Sequence, residues 1–131
     1  MTPVHRTLQS DVLMFNLADE MRTVRDELAT GHARIARTLV KEGPLRLTLI
    51  GLSQGGAMHA HHAEAPITIQ VLEGAIVLDV GGELRSMATG AIAALDGGVR
   101  HAVSSVHGGL FLLTLAAAPL AEGAHQRIVT A

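Results

Sequence analysis

The 131-residue sequence predicts an all-β barrel or sandwich with one short helix near its N-terminus. Two observations lead to this fold class. From residue 33 onward, short segments that alternate apolar and polar residues follow one another, as half-buried strands do. Gly, Pro or Asp bounds most of them, and the glycine pairs at 81–82, 97–98 and 108–109 are typical of tight turns. Short strands joined in this way favour an antiparallel sheet over a parallel α/β arrangement.

One segment near the N-terminus has helical periodicity. Asn16 precedes it in a position that suits an N-cap, acidic residues occupy its first turn, and Gly31 follows as a stop. Its apolar residues recur at intervals of four, three and four, which places them on one stripe of a helix: Leu17, Met21, Val24 and Leu28. We therefore expect a surface helix that packs on the barrel and has no functional role of its own.

The composition suits a compact protein and excludes several classes of function. Hydrophobic residues make up 48% and charged residues 17%, which is enough apolar material for a packed core. With 10 Lys+Arg against 12 Asp+Glu and no basic run, the chain offers no surface for nucleic acid. The absence of cysteine excludes disulfides and thiolate chemistry. Because Phe15 and Phe111 are the only aromatic residues, carbohydrate stacking and tyrosine acid–base catalysis are also excluded.

The length predicts a single domain, which we divide into three parts. Residues 1–32 form an N-terminal arm with a strand and the helix, residues 33–117 form the barrel, and residues 118–131 form a C-terminal tail. The tail is either a loose end or a strand given to a partner subunit. The first 12 residues lack a signal-peptide pattern and the longest apolar run is too short to span a bilayer, so we expect a cytoplasmic protein with no membrane association.

The histidines are the strongest indication of chemistry in the sequence. Three of the eight, His59, His61 and His62, fall within four residues. Side chains two apart on a strand point the same way, so His59 and His61 can offer two imidazoles to one metal ion. His62 then faces the opposite side unless a β-bulge changes the register. His101, which follows a glycine turn and begins another strand, is the best candidate for the third imidazole.

The stretch that contains the first histidines resembles the first motif of the cupin family. That motif runs Gly, five residues, His-x-His, three or four residues, Glu, six residues, Gly. Here residues 55–74 contain His59-Ala60-His61 and end on Gly74, with Ser53 at the position of the opening Gly. The match indicates that the two histidines lie on a strand of a cupin barrel.

A second cupin motif follows in the expected order. It runs Gly, five residues, Pro-x-Gly, two residues, His, three residues, Asn. Residues Gly90, Gly98 and His101 stand at matching positions, with Asp96 in place of the Pro and Ser105 in place of the Asn. The resemblance covers about residues 44 to 117. It implies a double-stranded β-helix, the cupin jelly-roll barrel.

The resemblance leaves the ligand set open, because the family's glutamate position, seven residues before Gly74, holds Ile67. Glu64 lies three residues earlier, and Gln70 lies on the strand face opposite Ile67 by simple alternation. The site is then three histidines with waters, three histidines with Glu64, Gln70 or His62 as an additional ligand, or a weakened site. We expect an apolar pocket beside it, lined by Ile67, Ile69, Val71, Met58 and Leu113.

These features predict a divalent transition metal (Fe, Mn, Ni, Cu or Zn) held by His59, His61 and His101. Such a centre suits dioxygenase-like or isomerase-like chemistry on a small molecule, with His62 and Glu64 as weak candidates for an acid or base. The alternatives are a non-catalytic ligand-binding or sensor cupin and a degenerate cupin without metal. Arg100 could face an anionic substrate, although strand neighbours normally point to opposite faces.

Homodimerisation is the expected oligomeric state. Cupins usually pair through an edge of the barrel, which covers strand edges that would otherwise invite aggregation. The strands near residues 33–52 and the helix are the expected dimer elements.

Overall fold

The computed structural model describes residues 11–117. In this range the chain forms one helix and eight strands, all paired antiparallel. They are α1 (Leu17–Leu28), β1 (Arg34–Glu42), β2 (Leu45–Leu52), β3 (Ala57–His61), β4 (Ile67–Val80), β5 (Glu83–Ala88), β6 (Ile92–Leu95), β7 (His101–Ser104) and β8 (Gly109–Ala116). The predicted all-β class with one short helix is confirmed.

Parts of the predicted domain division fall outside the described residues. These are residues 1–10 of the N-terminal arm and the tail at 118–131, and residues 11–16 contain no strand. The division into three parts stays a prediction. Among residues 11–117, no helix is long and apolar enough to cross a membrane.

Two sheets share the long strand β4. Its first half, residues 67–74, pairs with β8 and β6, and β8 continues to β2 and β1, which completes the first sheet. Its second half, residues 75–80, pairs with β5 and β7, and β7 continues to β3, which completes the second sheet. Strand β4 runs without a break through Gly74 and so passes from one sheet to the other.

Gly74 is the point at which β4 changes sheets. Its φ of +72° lies in the left-handed region, and a Cβ here would overlap the carbonyl oxygen of Gly108. The register of β4 against β8 also shifts between Val71 and Glu73, which marks a β-bulge. Together these features bend the strand, and they give a physical reason for the glycine that ends the first motif.

Apolar side chains fill the space between the two sheets. Residues Ile67, Ile69 and Val71 are at most 4% exposed, and Met58 and Leu113 pack against the same cluster. The five residues expected to line a pocket thus belong to or pack against the interior cluster, and their role as a pocket lining stays a prediction. The other buried members of this interior cluster are Ile50, Leu52, Ile76, Leu78, Met87, Leu95, Val103 and Phe111.

Helix α1 covers the outer face of the first sheet. Its N-terminus is capped by Asn16, whose side-chain oxygen accepts a hydrogen bond from the Asp19 N–H at 3.2 Å, as the sequence predicts. Val24 is fully buried, and a Cβ on Gly51 of β2 would overlap its side chain. Gly51 therefore allows the helix to approach the sheet closely. The stripe residues Leu17, Met21 and Leu28 pack around this outer cluster.

A buried ion pair, which the sequence analysis did not predict, holds the helix to the sheet. The Arg37 guanidinium on β1 donates to the Glu20 carboxylate on α1 at 2.7 Å, and each side chain is only 9% exposed. Charges removed from water are costly unless they are paired, so loss of one partner removes a buried group of opposite charge at hydrogen-bond distance.

Substitution of one partner of this pair should destabilise the fold strongly. We expect Glu20→Ala to lower the free energy of unfolding by about 3–5 kcal/mol, because Arg37 loses its buried carboxylate. The apolar double variant Glu20→Leu/Arg37→Met should recover most of this loss. Urea denaturation followed by circular dichroism measures both. As a control, Arg22→Gln breaks a pair whose side chains are 62–63% exposed and should cost less than ~0.5 kcal/mol. A Glu20→Ala effect as small as the control would contradict this interpretation.

Candidate metal centre

Two histidines from neighbouring strands meet at one end of the second sheet. The last residue of β3, His61, is paired in register with His101, the first residue of β7. On its other side, His101 pairs with Val80 of β4, the residue that precedes the Gly81–Gly82 turn. The two imidazole centroids lie 4.4 Å apart, with the ring planes tilted by 59°. His101 is 2% exposed and His61 is half-buried, so this end of the barrel holds a sheltered imidazole pair.

A bulge in β3 decides which histidine faces inward. Met58 pairs with Val103 and His61 pairs with His101, so three steps along β3 match two steps along β7. The extra residue breaks the alternation on which the sequence prediction depended. His59 lies within the bulge and is exposed, and the residue two beyond His61, Ala63, packs against the interior cluster. In this structure His59 is exposed while His61 is half-buried, and the assignment of both to one metal ion stays a prediction.

Both imidazoles of the pair are oriented by backbone carbonyls. His61 Nδ1 lies 2.9 Å from the carbonyl oxygen of His59, and His101 Nδ1 lies 3.0 Å from that of Val99. Since a carbonyl oxygen only accepts, each Nδ1 must carry the proton. The Nε2 atom of each neutral ring is then left with a free lone pair. This is the arrangement in which histidines bind metals or accept protons from ligands.

His101 Nε2 is buried and has no hydrogen-bond partner within the described part of the chain. A buried polar atom without a partner costs roughly 1–3 kcal/mol, so such atoms usually have a functional explanation. Burial lowers the pKa of His101, and positive charge on His61 or on His62 lowers it further. The ring is therefore held neutral, with its lone pair available.

The neighbouring candidates lie at the surface. His62 Nε2 is 3.1 Å from Glu64 Oε2, and the Glu64 side chain is 93% exposed. Gln70 lies on the face of β4 opposite the buried Ile69 and Val71. Its strand partners are Ile92 of β6 and Leu112 of β8. The structure therefore does not bring Glu64 or Gln70 to the imidazole pair. Among residues 11–117, no three His, Asp or Glu side chains are placed to hold one metal ion.

Similarity to solved structures identifies the fold. No protein-family profile and no curated protein sequence matches the chain. A conserved protein of unknown function from Streptococcus pyogenes is 25% identical, with a TM-score of 0.61 over 67% of this chain and 76% of that one. A cupin-2 domain containing protein from Shewanella frigidimarina is 12% identical, with a TM-score of 0.64 over 78% and 93%. The cupin-2 domain of an XRE family transcriptional regulator from Enterobacter cloacae is 17% identical, with a TM-score of 0.59 over 65% and 97%. This chain is a cupin by fold.

The predicted jelly-roll barrel is thus confirmed, and the departures from the cupin motifs acquire physical meaning. Ser105, at the Asn position of the second motif, is 2% exposed. Its hydroxyl donates to the Ala75 carbonyl at 2.6 Å and accepts from the Gly108 N–H at 2.9 Å. It therefore ties the turn before β8 to the bend of β4, a structural role that its position in the sequence did not reveal.

The position of the cupin glutamate is part of the core in this protein. Ile67 begins β4 and is 4% exposed within the interior cluster. A carboxylate at this position would have to be buried among apolar side chains, which is costly without a partner. The two inward imidazoles, His61 and His101, are therefore the parts of the predicted centre that the structure brings together.

The neutral state of His101 predicts a dependence of stability on pH. Because folding holds the pKa of His101 below 6.5, the unfolded chain takes up a proton first as the pH falls. The free energy of unfolding should therefore be greatest above pH 6.5 and should decrease as the pH falls through that value. Urea titrations in EDTA between about pH 7.5 and pH 5.5 measure this slope. His101→Gln, which has no titrating ring, should show a smaller decrease, and an equal slope in the two proteins would contradict the assignment.

Proposed function

We propose that this cupin binds a divalent transition metal at His61 and His101 and acts on a small molecule there. The observation that carries the proposal is the buried Nε2 of His101, which has no partner in the described structure and stands beside the His61 ring. Two neutral imidazoles with their Nδ1 protons fixed by carbonyls suit Fe, Mn, Ni, Cu or Zn. The chemistry of this donor pair therefore fits the metal that the family resemblance implies.

A third imidazole completes the proposed site when the metal binds. His59 and His62 flank His61 on both sides and are exposed, so neither is committed to the core. His62 is the stronger candidate, because it lies one residue beyond the end of β3, where strand alternation no longer fixes the direction of its side chain. To reach the pair, His62 must leave its surface contact with Glu64. His59, the third ligand that the sequence analysis favoured, would have to turn inward from the bulge.

The side chains around the pair define what the site can do. A bound metal supplies a Lewis acid, or activates O2 if it is redox-active, which is the basis of dioxygenase-like or isomerase-like chemistry. Val80, which pairs with His101 across β4 and β7, packs with Met58 and Ala63 against the apolar interior cluster, so the inner side of the site is apolar. His62 and Glu64, already hydrogen-bonded to each other at the surface, are the candidates for moving a proton.

Metal content tests the proposal directly. The untagged protein, measured by inductively coupled plasma mass spectrometry after purification and after reloading, should carry about one divalent metal per chain. His61→Ala and His101→Ala should weaken Zn²⁺ binding by more than roughly 100-fold, because each removes a ligand. His107→Ala, an exposed histidine outside the site, is the matched control and should bind as the wild type does. Circular dichroism confirms that each variant is folded.

The same experiment identifies the third ligand. We expect His62→Ala to weaken binding more than His59→Ala. Substoichiometric metal in the wild-type protein, unchanged by substitution of His61 or His101, would contradict the proposal and favour a cupin that has lost its metal.

A non-catalytic ligand-binding role is the second candidate function. It is favoured by the absence, among residues 11–117, of any three His, Asp or Glu side chains placed to hold one metal ion. One similar structure is the cupin-2 domain of a transcriptional regulator. O2 uptake by the metal-loaded protein with candidate diols, β-diketones and thiols separates the two, because a binding protein turns over none of them.

We also propose that the protein forms a homodimer. Strand β1 pairs only with β2 among the described strands, so one edge of the first sheet is unpaired there. A second copy that adds to this edge, beside α1, would cover it. Size exclusion with light scattering should give twice the mass of the 131-residue chain, and a monomer at all concentrations would contradict the proposal.

A further inference from the structure

A cleft opens beside the imidazole pair at the end of the second sheet. Its volume is about 410 Å³, which lies within the range of small-molecule sites. The Gly81–Gly82 turn, Arg100 and His101 are among the residues that line it. Ala60, from the β3 bulge, also contributes. The cleft therefore touches both strands that carry the imidazole pair.

Arg100 is the unpaired cation of this cleft. It is exposed and makes no hydrogen bond or ion pair with any described residue, whereas Arg25, Arg37 and Arg85 each bind a carboxylate. Arg100 precedes β7 rather than lying within it, so the alternation that would turn it away from His101 does not apply. Both residues line the same cleft.

The other charged group in the cleft is already engaged. Asp79 Oδ1 accepts a hydrogen bond from the Gly82 N–H at 2.9 Å and so holds the tight turn between β4 and β5. It forms no ion pair with Arg100. The Asp79 carboxylate repels an anionic ligand, and the repulsion grows with the ligand's charge. The Arg100 guanidinium attracts the same ligand. The balance favours a ligand with a single negative charge.

We propose that this cleft binds a small aliphatic monocarboxylate through Arg100. A guanidinium matches a carboxylate because its two parallel N–H groups can donate to the two oxygens. The remaining lining is small and apolar, contributed by Ala60, Val80, Val99 and Ala102, and no Phe, Tyr or Trp ring lines the cleft for a base or sugar to stack on. His101 lines this cleft and is also a ligand of the proposed metal site, so the carboxylate is the substrate class of that site and rests on the proposed function. Arg100 itself needs no metal to bind a carboxylate.

Nuclear magnetic resonance titration tests the inference on the metal-free and on the Zn²⁺-loaded protein. The probes are isovalerate, its neutral amide isovaleramide, and inorganic phosphate. Isovalerate should shift the backbone amides of Gly81, Gly82 and Ala102, with a dissociation constant on the order of 1 mM. Arg100→Gln should weaken this binding about tenfold or more, since a charge-assisted hydrogen-bond pair is lost. Arg100→Lys should retain part of it.

Matched controls separate this inference from the proposed metal site. Arg34→Gln removes another exposed, unpaired arginine that does not line the cleft and should bind isovalerate as the wild type does. Arg100→Gln should keep the wild-type metal content. If the wild-type protein takes up no metal on reloading and still binds isovalerate through Arg100, the carboxylate site is supported and the proposed metal site is contradicted.

Three results would overturn the inference while leaving the metal site intact. These are equal binding of isovalerate and isovaleramide, equal binding of isovalerate by the wild type and Arg100→Gln, and tighter binding of phosphate than of isovalerate.

Discussion

Strand β4 belongs to both sheets, and the barrel closes because Gly74 lets this one strand turn from the first sheet into the second. The left-handed φ of +72° and the contact with the Gly108 carbonyl leave no space for a side chain. Ser105 holds the same bend from the other side through its two hydrogen bonds. The second half of β4 then pairs with β7, which places His101 beside β3. The position of the candidate site follows from this bend.

The inward imidazole pair lowers the stability of the fold, and apolar burial elsewhere in the protein offsets this loss. His101 Nε2 is buried without a partner, at a cost of roughly 1–3 kcal/mol, in a region where apolar side chains would pack without penalty. The interior cluster and the helix packed on the outer face supply the compensating burial. Both Nδ1 protons are held by carbonyls, so the rings are fixed in one tautomer before any ligand arrives. An unfavourable buried lone pair that is oriented in this way is best explained by a ligand for Nε2.

Local patterns allowed much of the fold to be predicted from the sequence, and long-range packing accounts for the rest. The N-cap at Asn16 depends on a few consecutive residues and was predicted correctly, as were the alternating strands and the Gly81–Gly82 turn. No glycine or proline marks the β3 bulge in the sequence, so simple alternation did not predict the register shift between Met58 and His61. The Glu20–Arg37 pair joins residues 17 positions apart, which no local pattern specifies.

The protonation and ligation of the two imidazole rings test the central claim most directly. Long-range ¹H–¹⁵N spectroscopy of the metal-free protein should show that His61 and His101 carry a proton on Nδ1, which donates to a carbonyl oxygen. One equivalent of Zn²⁺ should then shift the Nε2 resonances of both rings, together with one further histidine, and leave His107 unchanged. Protonation on Nε2 in the metal-free protein, or Zn²⁺ shifts confined to exposed histidines such as His59 and His107, would contradict the account.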